Sequence, residues 1–144
     1  MLFRNLILKY MPAVIGHNCE SNYQLFFFSA FRQACSDEFL VTSESHGGHG
    51  RMDLIIEERG GTRSIILELK VSHVRGTRKS DFGLPALAKE ALKQIDGRQY
   101  RAKLEDEVID LREYGIAFFQ KYCEIRERIL KRSLGGDWVV KRGS

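Results

Sequence analysis

The stretch GRMDLIIEERGGTRSIILELK, residues 50–70, contains two apolar runs separated by a Gly-Gly pair. Both runs are rich in aliphatic residues, and a Gly-Gly pair between two such runs predicts a β-hairpin with a tight turn. Each run nevertheless contains an acidic residue, Asp53 in the first and Glu68 in the second. A carboxylate inside a hydrophobic strand requires compensation, so the placement of these two acids is the first question that the sequence raises.

A two-residue turn at Gly60-Gly61 determines how the two runs pair. Its register places Asp53 directly opposite Glu68, with their Cβ atoms roughly 4.5–5.5 Å apart on one face of the hairpin. Lys70 lies two residues beyond Glu68, so it shares that face about 6.6 Å along the strand. A slip of one residue would place a leucine opposite a carboxylate, so the prediction depends on this register.

Two carboxylates at that separation repel each other, and partial burial strengthens the repulsion. A divalent cation compensates both charges, and Mg²⁺ prefers carboxylate oxygens while it keeps several water ligands. With Lys70 beside them, Asp53 and Glu68 have the chemistry for phosphodiester hydrolysis. Alternatively, the acids form the polar face of an amphipathic edge, and Lys70 makes a plain surface pair. Ile55 and Ile66 share the acid face, which favours a sheet covered on both sides.

The rest of the chain predicts a mixed α/β domain in the order α-β-β-β-α-β-β. Helices are expected over residues 22–35 and 84–104, and strands over residues 38–44, 51–58, 63–71, 113–120 and 122–130. We expect one domain over residues 1–144, with an N-terminal packing segment at residues 1–17 and an unassigned C-terminal tail at residues 133–144.

The composition is that of an ordinary soluble protein: 43% of the 144 residues are hydrophobic and 29% are charged. A net charge of +4 is compatible with a polyanionic partner but is not evidence for one. Cys19, Cys35 and Cys123 form no Cys-x-x-Cys pair, which favours a reducing, intracellular (cytoplasmic) compartment over a disulfide framework. No apolar span is long enough to cross a membrane, so no membrane association is expected.

Three short motifs occur in an order that resembles the PD-(D/E)XK nuclease superfamily. They are Gly-Arg-Met-Asp ending at Asp53, Glu-Leu-Lys ending at Lys70, and Ala-Leu-Lys-Gln-Ile at residues 91–95. The closest resemblance is to the branch often fused to an AAA-type ATPase domain, and it runs from about Tyr23 to about Phe119. The resemblance implies a restriction-endonuclease-like mixed sheet flanked by helices.

Carried over by position, the resemblance also implies roles for individual residues. Asp53 and Glu68 bind the metal, and Lys70 is the catalytic lysine. The backbone carbonyl of Leu69 is a further ligand, Glu44 is a candidate ligand, and Gln94 supports the site from the second helix. Where the family usually has a proline before the aspartate, this chain has Met52, and the chain has no Gly-x-x-x-x-Gly-Lys-[Ser/Thr] motif for ATP.

Basic residues near these motifs are candidates for contacts with a nucleic-acid backbone. They are either such contacts or simply solvated charges, and they comprise Arg75, Arg78 and Lys79 in a loop and Arg98 and Arg101 on the second helix. Taken together, the sequence predicts a Mg²⁺- or Mn²⁺-dependent nuclease that acts on DNA, with a second copy of the chain or a separate ATPase as candidate partners. The alternative is a catalytically silent nucleic-acid-binding or protein-interaction module on the same fold.

Overall fold

The computed structural model of the chain describes residues 20–35, 37–45, 52–74, 78–120 and 122–143. The predicted packing segment at residues 1–17 lies outside them. The helices are α1 (Glu20–Ala34) and α2 (Leu84–Gly97), and the strands are β1 (Phe39–Ser45), β2 (Met52–Glu58), β3 (Arg63–Val71), β4 (Asp110–Phe119), β5 (Tyr122–Arg132) and β6 (Trp138–Gly143). Short 3₁₀ turns occur at Lys79–Phe82 and Tyr100–Lys103.

Within the described residues, the strands form one six-stranded sheet in the order β1-β2-β3-β4-β5-β6. Neighbouring strands are antiparallel except for β3 and β4, which are parallel. A parallel pair requires a long crossover connection, and α2 forms that crossover between β3 and β4. The predicted mixed sheet flanked by helices, as in restriction endonucleases, is therefore confirmed.

The structure differs most from the predicted elements in two places, while the bounds of the predicted strands differ by three residues or fewer. The second helix ends at Gly97, not at residue 104, because Gln99 adopts a left-handed conformation with φ of 54° and the chain continues into a 3₁₀ turn. The tail that the sequence leaves unassigned contains β6, which pairs with β5 after a turn in which Gly136 has φ of 90°. A left-handed residue ends the helical hydrogen-bond pattern, and glycine adopts it at little cost.

The two faces of the sheet pack against different helices. As predicted, alternate residues of the β2–β3 hairpin divide between them, because side chains alternate along a strand. The α1 face buries a cluster that includes Tyr23, Phe27, Leu54, Ile56, Leu67, Leu69, Ile116 and Phe118. The α2 face buries a second cluster that includes Ile55, Ile66, Ile95, Tyr100, Leu111 and Leu130. The face that carries Glu68 is thus covered by α2.

Helix α2 approaches the sheet closely at Gly115 in β4. A Cβ atom added at Gly115 would lie 2.2 Å from the backbone oxygen of Ala88 and 2.6 Å from the backbone nitrogen of Leu92. The absence of a side chain at this position therefore sets the distance between α2 and the sheet. Within the described residues, neither α1 nor α2 has the length and apolar character that a bilayer-spanning helix requires.

Candidate active site

The register of the first three strands aligns acidic residues across the sheet. Asp53 of β2 is the direct partner of Glu68 of β3, so the predicted pairing is confirmed. Glu44 of β1 is in turn the partner of Asp53. The backbone therefore brings three acidic residues to one level on neighbouring strands, and partners in register share a face of the sheet.

Glu68 and Lys70 are buried on the α2 face of β3. Glu68 is 1% exposed and Lys70 is 8% exposed. The ammonium of Lys70 donates a hydrogen bond to Glu90 of α2, with a distance of 2.6 Å from Nζ to Oε1. Burial of an ammonium is costly unless acceptors replace its water, and Glu90 is one such acceptor.

Gln94 of α2 connects the two buried ionic residues. With its amide oriented to satisfy both neighbours, Nε2 donates to Oε1 of Glu68 at 2.8 Å, and Oε1 accepts from Nζ of Lys70 at 3.0 Å. An amide can do both because it carries a donor and an acceptor on one planar group. The structure therefore brings together the three residues that the motifs singled out on β3 and on the second helix.

Arg98 follows the last residue of α2 and lies next to Glu68. Its NH1 atom is 3.7 Å from Oε2 of Glu68 and donates to the hydroxyl of Tyr100 at 3.3 Å. The Arg98 side chain is 15% exposed, so its guanidinium contributes positive charge within a partly buried site. This placement gives Arg98 a carboxylate neighbour inside the protein, where the sequence allowed either a phosphate contact or a solvated charge.

Sequence reasoning missed Glu90. It precedes Gln94 by four residues, and Gln94 precedes Arg98 by four, so the three lie along one side of α2. That spacing was visible in the sequence. Whether this spacing places the three residues at the site depends on which side of α2 faces β3, and tertiary packing determines that.

Arg101 belongs to a separate ion-pair cluster on the same face. Its guanidinium donates to both oxygens of the buried Glu113, at 2.5 and 2.8 Å, and to Asp96 at 2.7 Å. Arg128 of β5 donates to the same Glu113 at 2.7 Å. Burial alone lowers the pKa of Arg101, but its carboxylate partners hold that pKa above the ordinary value. We therefore interpret Arg101 as a structural residue, where the sequence allowed either a phosphate contact or a solvated charge.

The predicted basic loop is only partly described. Arg78 is exposed and lies 3.5 Å from Asp81, with which it forms a surface ion pair. Arg75 and the side chain of Lys79 lie outside what the structure describes.

The donor chemistry of the acidic row fits a hard divalent cation. Glu44, Asp53 and Glu68 are carboxylate residues, and carboxylate oxygen is the ligand type that Mg²⁺ and Mn²⁺ favour. The structure describes the backbones of Glu44 and Asp53 but not their side chains. Of the side chains that the structure describes, no group of three or more His, Cys, Asp or Glu residues is placed to hold a metal. The side chain of Leu69 packs in the α1-side core, while its backbone lies between the two site residues of β3.

Comparison with known protein families adds one finding. The family model described as the PD-(D/E)XK nuclease superfamily matches residues 18–128. The matched region includes both helices and strands β1 to β4, and therefore all of the site residues described above. No curated protein matches the chain.

Proposed function

The chain belongs to the PD-(D/E)XK nuclease superfamily, and on this premise we propose that it is a Mg²⁺- or Mn²⁺-dependent nuclease that hydrolyses phosphodiester bonds in DNA. One observation supports this proposal above the others. A buried carboxylate and a buried ammonium, Glu68 and Lys70, are joined by Gln94 at the level where Asp53 pairs with Glu68. Such a set costs stability, because each charge is removed from water, and a function would explain why the cost is retained.

Asp53 and Glu68 are the proposed metal ligands, with the Leu69 carbonyl and Glu44 as further ligands. When bound, the cation neutralises charge on the phosphate and makes a metal-bound water more acidic. Asp53 and Glu68 are paired in register across two strands, so the backbone sets their spacing and little reorganisation is needed at the moment of reaction.

Lys70 orients the attacking water or a phosphate oxygen. Its ammonium is a compact point charge with three donors, and its burial strengthens its interaction with an anion. Gln94 restrains Lys70 and Glu68 together, so one amide group links the basic and acidic parts of the site.

The DNA backbone is proposed to contact the loop after β3. Arg78 is exposed there, and Arg75 and Lys79 belong to the same segment of sequence. Lysine and arginine side chains bind phosphates without sequence information, so this loop would position DNA rather than select a sequence.

The test compares wild type with Asp53→Asn and Lys70→Met, using calorimetric metal titration and cleavage of labelled DNA in Mg²⁺, Mn²⁺ or EDTA. We expect Asp53→Asn to lose both metal binding and cleavage. Lys70→Met should keep metal binding and lose roughly 10²- to 10⁴-fold in cleavage rate. Lys93→Met, which changes an exposed lysine of α2, is the matched control and should behave as wild type. Equal cleavage by wild type and Lys70→Met would contradict the assigned roles.

A second candidate is a module that binds nucleic acid without cutting it. The pairing of Lys70 with Glu90, and the position of Arg98 beside Glu68, favour it because they balance the charges of the site internally. The same experiment separates the two candidates. DNA binding with no metal-dependent cleavage would support the silent module.

A further inference from the structure

We infer that Glu90 is a positioning residue that orients the ammonium of Lys70 and opposes the approach of a substrate phosphate. The effect on turnover rests on the proposed nuclease function, whereas the effect on Lys70 itself does not. Glu90 is outside the three motifs that identify the family resemblance, and its assignment comes from the geometry of the site alone.

Helix α2 determines the direction in which the Lys70 ammonium points. A lysine ammonium has three N–H donors. One points to Oε1 of Glu90 at 2.6 Å and another to the Gln94 oxygen at 3.0 Å. Both acceptors come from α2, four residues apart, so one rigid element determines how the ammonium is rotated. Two fixed donors determine the direction of the third.

Lys70 and Glu90 differ in both charge and exposure. The Lys70 side chain is 10% exposed, whereas the Glu90 side chain is 56% exposed. Glu90 therefore places a partly exposed negative charge 2.6 Å from the buried ammonium. Its negative charge attracts Lys70 but repels a phosphate that approaches the same ammonium. Removal of this charge should tighten nucleic-acid binding, and removal of the acceptor should slow the reaction.

A purely structural interpretation of the pair predicts something different. An ion pair with one partner this exposed contributes little to stability, so its loss would leave both Lys70 and the reaction almost unchanged. Tighter nucleic-acid binding together with a slower reaction, on changes at Glu90, is therefore expected only if Glu90 positions Lys70.

The first experiment uses the protein without metal or nucleic acid. Nitrogen-15 NMR of lysine ammonium groups detects those that are held in hydrogen bonds, because their protons exchange slowly with water. We expect such a signal from Lys70, assigned by its loss in Lys70→Met, and we expect Glu90→Ala to remove it. Glu107→Ala, a change of an exposed glutamate in the loop before β4, should keep it. A Lys70 signal that is absent in wild type, or that persists in Glu90→Ala, would overturn the proposal.

The second experiment separates charge from hydrogen bonding. Glu90→Gln keeps an oxygen acceptor but removes the charge, and its Kd for a DNA duplex in EDTA should fall roughly two- to fivefold. Glu90→Ala should bind as tightly as Glu90→Gln but show a single-turnover cleavage rate lower by about tenfold or more. Wild-type values for both variants would overturn the proposal.

These outcomes also distinguish the two proposals. If wild type does not cleave DNA with any metal, the proposed nuclease function fails. The NMR signal and the DNA affinities then still decide whether Glu90 positions Lys70. If wild type cleaves DNA and both measurements are insensitive to Glu90, only the assignment of Glu90 fails.

Discussion

The substitution Gly115→Ala tests how the fold holds the site together. Gly115 lies in β4, directly beneath α2, where an added Cβ would meet two backbone atoms of the helix. Backbone atoms of a helix cannot move aside individually as the end of a flexible side chain can. The alanine methyl must therefore push the whole helix, and with it Glu90, Gln94 and Arg98, away from β3.

The size of the effect follows from the distances. The methyl carbon would lie 2.2 Å from the oxygen of Ala88, and real Cβ contacts shorter than 3.0 Å essentially do not occur, so α2 must move by about 0.8 Å or more. Overpacking of a close-packed interior costs typically 1–3 kcal/mol, and a clash with backbone belongs at roughly the upper end of that range. A misplacement of about 1 Å at a site can also reduce the rate by roughly 100-fold.

Urea unfolding followed by fluorescence measures the stability, and metal-dependent DNA cleavage measures the site. Gly97→Ala is the matched control, since it makes the same change in the last turn of α2 where nothing lies within 4 Å of the added atom. It should be neutral or stabilising by up to about 1 kcal/mol, because alanine restricts the unfolded chain more than glycine does. A Gly115→Ala protein as stable as wild type would refute the argument that this contact sets the position of α2.

Three further predictions concern buried polar groups. Glu113→Gln removes the negative charge that Arg101 and Arg128 share, and it should lower the free energy of unfolding by roughly 3–5 kcal/mol in urea. A decrease no larger than that of the exposed control Arg78→Met would contradict this prediction. Arg98→Met should lower the stability of the metal-free protein by about 2 kcal/mol. Mg²⁺ should then raise the Tm of Arg98→Met more than the Tm of wild type, because the cation compensates part of the Glu68 charge that Arg98 no longer compensates. Equal Tm shifts would argue against a metal at Glu68. Burial raises the pKa of Tyr23 to about 12, whereas an unfolded tyrosine ionises near 10.0. The stability that the protonated Tyr23 hydroxyl contributes is therefore complete below pH 10 and is lost as the pH rises towards 12. The stability difference between wild type and Tyr23→Phe should shrink by about 2 kcal/mol over that window. A constant difference from pH 9 to 12 would contradict this prediction.

The hairpin and its acids were predictable from sequence because their geometry is local. A Gly-Gly turn and the alternation of apolar residues together determined that Asp53 pairs with Glu68. The order of helices and strands followed from periodicity in the same way. The strand β6 was missed because its apolar run of Trp138, Val139 and Val140 is short and follows a glycine turn, so its pairing with β5 depends on where β5 ends.

The partners of the site residues were not predictable, because they depend on how α2 lies over the sheet. Gln94 was found through the family resemblance, whereas Glu90 and Arg98 required a three-dimensional arrangement. Gly115 carried no signal either, since a glycine in a strand is compatible with a bulge, a bend or a close approach. Only the contact with Ala88 identifies it as a close approach.

The crossover between β3 and β4 explains why these particular charges meet. Since β3 and β4 are parallel, α2 must run back across the sheet, so the start of α2 lies near the end of β3. Two residues of a strand span about 6.6 Å and four residues of a helix span about 6.0 Å, so Glu68 and Lys70 are about as far apart as successive members of the α2 series. Gln94 therefore faces the midpoint between them and reaches both, while Glu90 and Arg98 lie at the two ends. With the helix reversed in direction, Glu90 would lie beside Glu68 and Arg98 beside Lys70, and both pairs would repel. The charge order along α2 is thus compatible with one direction of the crossover only, and that direction is the one in which Lys70 receives an acceptor at 2.6 Å.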